Sequence, residues 1–342
     1  MVYDDAFLRR LTAGLAGILP RWGLAEGTTL KLLTISENAT YLAEAPDGRG
    51  TIFRVHRPDY HTPTEILSEL AWISALARDG VVITPAPLPA LDGSYLASFS
   101  DGPARRLAVA FSFMPGREPD AGPDSGSDLM RWYGHLGEIT ARLHLHAQNW
   151  DRPKGFVRKT WDFATIIGPD AHWGDWRTAP GLDAASIKIL ERTAMLLEQQ
   201  TADYGHGPDR FGLVHCDMRT ANLLVEGERL AVIDFDDCGL SWYGYDFAAS
   251  ISFMEHEPFV PELTRAWVEG YRRAAPLSAE AEATLPAFVM LRRMQLTAWI
   301  ASHGETPTAQ AMGEDYVRGT VALGAVYLHQ HAPELVAGEP AL

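Results

Sequence analysis

The stretch HCDMRTANLL, residues 215–224, sets a carboxylate, Asp217, five positions before an amide, Asn222. The apolar run that follows ends in AVIDFDD, with a further carboxylate at Asp234. Phosphoryl transfer from a nucleotide needs few covalent actors: a carboxylate to hold and deprotonate the accepting hydroxyl, oxygen ligands for Mg2+, and a cation over the phosphates. Asp217 suits the first task, because a carboxylate in a loop before a strand can reach an incoming hydroxyl. Asn222 and Asp234 suit the second, since a metal that keeps waters and substrate phosphates needs only one or two hard oxygens from the protein. Taken singly, a turn carboxylate and a capping amide explain Asp217 and Asn222 without chemistry. Asp234 resists that reading, because its place in an apolar strand makes an unpaired carboxylate costly.

These residues need a scaffold. From Thr29 to about Phe113 the texture is of short strands, LKLLTIS, TYLAEA, TIFRVHR, SYLASFS and RLAVAFSF, separated by turn signals at Pro46-Asp47-Gly48 and Asp92-Gly93. One helix interrupts them, with Thr62 or Thr64 as N-cap, Pro63 early, Ile66, Leu70, Ile73 and Leu76 on one face, and Gly80 as the stop. The Pro-, Gly-, Asp- and Ser-rich segment 115–128 reads as a linker. Beyond it the period turns helical over 129–148, 184–201, 261–274, 285–303 and 313–331, and one strand pair, NLLVEGERLAVIDF, turns at Glu226-Gly227-Glu228. The layout is an N-terminal helix (1–28), a small mainly β lobe (29–114), a hinge (115–128) and a larger mainly α lobe (129–342) that carries the motif.

The 342 residues are 46% hydrophobic, enough for a sizeable core, and 44 acidic against 29 basic side chains give a net charge of −15. That balance argues against a nucleic-acid binder, whose affinity rests on neutralising phosphates. Two cysteines, Cys216 and Cys238, fit a reducing cytoplasm. The first residues alternate at helical spacing and are interrupted by Arg9 and Arg10, so they read as an amphipathic helix rather than a targeting segment, and no membrane span is expected. His144 and His146 fall on different helix faces and make poor metal partners.

The pattern H-x-D-x4-N, followed by a strand turn and I-D-F, is the catalytic and metal-binding arrangement of kinase-like folds. With it the chain resembles the aminoglycoside phosphotransferase family, which also holds choline kinases, type II homoserine kinases and bacterial stress-response kinases. The resemblance covers roughly residues 30–271. It implies an α+β, protein-kinase-like bilobal fold, Asp217 as catalytic base, Asn222 and Asp234 as Mg2+ ligands, and His215 with Asp246 of YDFA as a structural brace of the catalytic loop. Cys216 stands where the family usually has glycine, and MRTA replaces its commoner LHPG.

In TIFRVHR the resemblance sets Arg54 where the family has a strand lysine over the nucleotide phosphates, although arginine's fork differs in reach. Glu69 matches the helix glutamate that would orient it, with Glu65 one turn earlier as a rival. TISENATY would be the nucleotide loop, with Ser36, Asn38 and Thr40 facing phosphate; a plain hairpin turn also explains them. Ser112 to Met114 would offer backbone groups to an adenine edge.

For the acceptor, Asp236, Asp237, Glu255 and Glu257 follow the metal motif, and Trp161, Trp173 and Trp176 stand nearby in sequence. A solvated surface and an ordinary core explain them; a cationic acceptor would use both. The expectation is a kinase using ATP, or alternatively GTP, with Mg2+ on a hydroxyl of a small, amine-bearing molecule. It has no nucleic-acid or membrane partner, and the sequence sets no oligomeric state. The alternatives are a protein Ser/Thr kinase of the stress-response type and a nucleotide-binding pseudokinase. The short spacing from Asp234 to Asp246 leaves little room for the activation segment of the former, and only Arg54 favours the latter.

Overall fold

Alternating apolar residues build an antiparallel sheet in the first third of the chain. In the computed structural model, which describes residues 4–24, 26–36, 38–119 and 126–335, helix α1 (Asp5–Ile18) is followed by β1 (Thr29–Ile35), β2 (Ala39–Glu44), β3 (Gly50–Val55), α2 (Pro63–Arg78), β4 (Pro87–Leu88), β5 (Ala97–Asp101) and β6 (Ala104–Ser112). The strand order is β1-β2-β3-β6-β4, with β5 also on β6. Phe7, Leu11, Leu15 and Leu19 pack into the same cluster as Tyr41, Phe53, Val55 and Ala108 of the sheet, each large side chain contributing roughly 2 kcal/mol. Helix α1 is therefore part of the sheet's core, not a separate segment. Its start is set by Asp4, whose carboxylate accepts the Phe7 N–H at 2.7 Å. Thr62 caps α2 in a reciprocal box with Glu65.

The second half of the chain holds α3 (Gly126–Asn149), α4 (Phe163–Ile166), α5 (Ala184–Tyr204), β7 (Phe211–Val214), β8 (Leu223–Glu226), β9 (Arg229–Val232), β10 (Gly239–Trp242), α6 (Tyr245–Ser250), α7 (Val260–Ala274), α8 (Ala279–Ser302) and α9 (Pro307–His331). β8 and β9 form the expected hairpin, with Leu223 opposite Val232. A second pair, β7 with β10, places Val214 opposite Gly239; four-residue strands this far apart leave no alternation to read. Helix α8 begins six residues before the expected 285, where Ser278 accepts the Ala281 N–H at 3.0 Å. Its alanine-rich first turns carry no apolar stripe, and Pro286 lies inside the helix as its eighth residue, where it has no N–H to donate to the Glu282 carbonyl. Gly313, at φ 48° and ψ −147°, interrupts α9. Helices α3 and α7 approach closely because of glycine: a Cβ on Gly137 would lie 2.0 Å from the Trp267 carbonyl oxygen.

Two units emerge from these contacts: Met1–Gly116 with Asp151–Arg158 and Glu305–Pro307, and Arg117–Trp150 with Lys159–Gly304 and Thr308–Leu342. The boundary falls inside the expected linker. From Arg117 onward the chain belongs to the second unit, since Arg117 and Val225 exchange backbone bonds of 3.1 and 2.8 Å. Residues 120–125 of that linker lie outside the described residues. No described helix is long and apolar enough to cross a membrane.

Candidate active site

Residues 215–222 leave β7 as a loop closed by a 3-10 turn, Thr220–Asn222, before β8. Cys216 has φ 67°, the left-handed region that glycine enters freely; this is the physical reason a glycine suits the position. Burial pushes the Cys216 thiol well up, so it is no thiolate nucleophile. The fully buried Asp246 carboxylate, in the first turn of α6, accepts the Cys216 N–H at 2.7 Å and the His215 N–H at 3.2 Å. Its second oxygen also meets His144 Nε2 at 2.9 Å, and His144 Nδ1 meets the Tyr271 hydroxyl at 3.0 Å. The sequence marked His144 only as a poor metal partner; its bond to Asp246 joins residues 102 apart and no local spacing signals it. Asp246→Ala strands two buried N–H groups and is expected to cost about 3 kcal/mol, read as a lowered urea midpoint at unchanged slope.

Asp217 keeps 16% of its side chain exposed, and both oxygens are held. Oδ1 accepts Arg292 Nη2 at 2.6 Å; Oδ2 accepts Asn222 Nδ2 at 2.8 Å and lies 3.4 Å from Arg219 Nε. Burial works to raise this carboxyl, but Arg219 and Arg292 outweigh it and hold it below the usual carboxylate range. His215 is neutral, its pKa lowered chiefly by burial. The Asp217 N–H donates to His215 Nδ1 at 3.2 Å, so the proton sits on Nε2, 3.2 Å from the Ile233 carbonyl oxygen.

Asn222 donates through Nδ2 to both the Asp217 backbone oxygen and its Oδ2, each at 2.8 Å, which turns the amide oxygen away from Asp217. The Asn222 carbonyl accepts the Ile233 N–H at 2.9 Å, so the hairpin register brings Asn222 beside the residues leading to Asp234. Asp234 differs from expectation: β9 ends at Val232, and Asp234 is exposed beyond it at φ 61°. The cost at this position is not a buried charge but a left-handed backbone in a residue with a Cβ, about 1–3 kcal/mol. One amide oxygen and one exposed carboxylate at the mouth of a single hairpin are a donor set that fits a hard divalent cation.

In the first unit, Arg54 Nη2 meets Glu69 Oε2 at 2.6 Å, both side chains buried, and the guanidinium stands 5.3 Å from the Phe111 ring centre. Thr40 lies opposite Arg54 across β2 and β3. Glu65 is no rival to Glu69, being committed to the α2 cap. Two nucleotide candidates have internal partners. The Asn38 amide oxygen accepts the Arg57 N–H at 3.2 Å, tying the start of β2 to the residues that follow β3. Ser112 exchanges bonds with Ala86, its N–H donating to the Ala86 carbonyl and its hydroxyl accepting the Ala86 N–H, both at 2.9 Å, so that N–H is not offered to a base. Ser36 donates its N–H to the Asn38 carbonyl at 3.0 Å, and Met114 follows β6 in a non-repetitive stretch.

The acceptor candidates separate by burial. Glu255 is sealed in the interior, paired with Arg293 at 2.8 Å and the Tyr316 hydroxyl at 3.0 Å, so it anchors α8 and α9 rather than facing a ligand. Asp236 is also buried, whereas Asp237 and Glu257 are partly exposed. All three tryptophans are buried; Trp161 Nε1 donates to the Asp237 carbonyl at 2.9 Å, and the cation at Trp173 is Arg292 itself, 5.4 Å from the ring centre. Arg292 drew no notice in the sequence. The available signal was LRRMQLTAWI, two arginines inside an apolar helical run, where each needs a buried partner.

A loop-borne carboxylate held charged by arginines, beside a hairpin that offers two hard oxygens, is the arrangement of a phosphotransferase. The Phosphotransferase enzyme family matches residues 30–277, and the chain belongs to it. It is 40% identical to a microcompartment-associated aminopropanol kinase of known structure, covering 97% of this chain and 100% of that one with a TM-score of 0.85. A homoserine kinase of Methylobacillus flagellatus is 25% identical over 296 residues, 84% of this chain and 80% of that protein. An amicoumacin kinase solved with AMP-PNP, Ca2+ and Ami is 20% identical and shares the fold, with a TM-score of 0.74 over 93% of each chain. The protein is thus a small-molecule kinase that phosphorylates a hydroxyl group, with a protein-kinase-like fold.

Proposed function

We propose that this enzyme transfers the γ-phosphoryl group of ATP, with Mg2+, to the hydroxyl of a small amino alcohol. The observation that carries the reading is the 40% identity over 97% of the chain to an aminopropanol kinase, and the loop and hairpin of the second unit that carry Asp217, Asn222 and Asp234 support it. Asp217 accepts the hydroxyl proton as the acceptor oxygen bonds to the γ-phosphorus and the bond to the β-phosphate bridging oxygen breaks, ADP leaving with the electron pair. Asn222 and Asp234 would hold the Mg2+ ion, which when bound neutralises charge on the phosphates. Arg54, oriented by Glu69, is the cation for the nucleotide phosphates. The structure between Asp234 and Asp246 supports a small acceptor, because β10 and the start of α6 fill that interval.

Asp237 and Glu257, both partly exposed, are assigned to the acceptor's ammonium group. Arg292 is the cation at the Trp173 ring, which favours a carboxylate over that ring as the acceptor's partner. ADP release measured for 1-amino-2-propanol, ethanolamine, homoserine and 1,2-propanediol tests the class: kcat/KM for the best amino alcohol should exceed that for the diol by about a hundredfold. Equal turnover of the uncharged diol would sink the reading. Asp237→Asn is expected to raise the amino-alcohol KM about tenfold while kcat changes little, the mark of lost ground-state binding.

A further inference from the structure

Arg292 is the buried charge that the reaction as written does not use. It projects from α8 with 3% of its side chain exposed, and it uses all three nitrogens: Nη2 to Asp217 at 2.6 Å, Nη1 to Gln295 Oε1 at 3.1 Å and Nε to Ser252 Oγ at 3.1 Å. The Tyr245 hydroxyl donates to that same Gln295 oxygen. The neighbouring Arg293 points into a second buried network with Glu255, Thr320 and the Tyr316 carbonyl, which fixes the rotation of α8 and hence the aim of Arg292. A buried guanidinium costs several kcal/mol to desolvate and returns little net stability when paired, so a stability role alone is a weak account of it. What the fork does supply is geometry: a planar group fixed at two points, Ser252 and Gln295, holds one carboxylate oxygen with its third donor.

We propose that Arg292 is a positioning residue that clamps Asp217 Oδ1 from α8, leaving the Oδ2 side, steadied by Asn222, to meet the acceptor hydroxyl. The inference rests on the reading of Asp217 as the base. The segment that follows Ser250, through Ser252, thereby joins the base's alignment to α8. A carboxylate displaced by about 1 Å loses on the order of a hundredfold in rate without losing ligand affinity, and that split is what distinguishes alignment from binding.

The test compares wild type, Arg292→Lys and Arg292→Met in steady-state kinetics with nucleotide and acceptor varied separately, using the best acceptor among the four compounds above. Expected for Arg292→Met is a kcat about a hundredfold lower with both KM values within about threefold of wild type. Arg292→Lys, which restores the charge at Asp217 but not the fork to Ser252 and Gln295, should regain about tenfold of that loss. A raised acceptor KM at unchanged kcat would make Arg292 a binding group and overturn the proposal, as would Lys performing no better than Met or all variants keeping wild-type kcat. If Arg292→Met does not fold, Arg292→Lys decides alone: kcat about tenfold down at unchanged KM supports the clamp, wild-type kcat overturns it. Failure of the amino-alcohol reading shows separately, as wild type preferring another compound of the panel.

Discussion

Asp217→Asn is expected to lower kcat about a thousandfold while leaving the nucleotide dissociation constant within about twofold. The amide keeps the shape of the carboxylate and can still accept Arg292 Nη2 on its oxygen; its NH2 replaces the oxygen that accepts Asn222 Nδ2, but Asn222 keeps its bond to the backbone oxygen of residue 217, so the loop and its braces at Asp246 and His215 stay in place. What is lost is the site for the hydroxyl proton and a full negative charge between Arg292 and Arg219. Neither group belongs to the proposed metal and nucleotide set, so nucleotide affinity, measured by calorimetry with Mg2+, should hold. The inverse result, weak nucleotide binding with intact turnover of the bound complex, would assign Asp217 to the metal instead and leave the base unidentified.

The legible part of this site was the part written in consecutive residues. His215, Asp217, Asn222 and Asp234 lie within twenty residues because a loop, a short turn and a hairpin hold them, and each of those devices has a local signal. The hairpin register that sets Asn222 beside Ile233 follows from a tight Glu-Gly-Glu turn, and the α2 cap follows from Thr62 and Glu65. What could not be read was contact across the fold. Arg292 reaches Asp217 from 75 residues away and His144 reaches Asp246 from 102, with α8 oriented by a buried Glu255 that sequence alone could equally place on the surface. Burial is a three-dimensional property, and for Glu255 it decided between a ligand-facing and an internal role. Asp234 erred in the opposite direction: apolar neighbours suggested a strand interior, but the strand ends two residues earlier and the backbone turns left-handed.

That backbone makes Asp234 the site of the sharpest expected separation between stability and function. As a metal ligand, its removal in Asp234→Ala should weaken nucleotide binding in the presence of Mg2+ on the order of a hundredfold and leave binding in EDTA unchanged. Asn222→Ala should have a smaller effect, because an amide neutralises no phosphate charge. Asp234→Gly should lose the same metal-dependent affinity yet unfold at a higher temperature. Glycine adopts φ near 61° without the Cβ clash, a gain of about 1 kcal/mol after its greater unfolded-chain entropy is counted, and the exposed carboxylate leaves no cavity behind. Alanine keeps the clash and gains nothing. A residue retained in a strained conformation that glycine would relieve is one whose side chain is needed there. If Asp234→Gly melts at or below wild type, or if nucleotide affinity is the same with and without Mg2+ in the unaltered enzyme, the strained turn serves the fold and the metal must be held elsewhere.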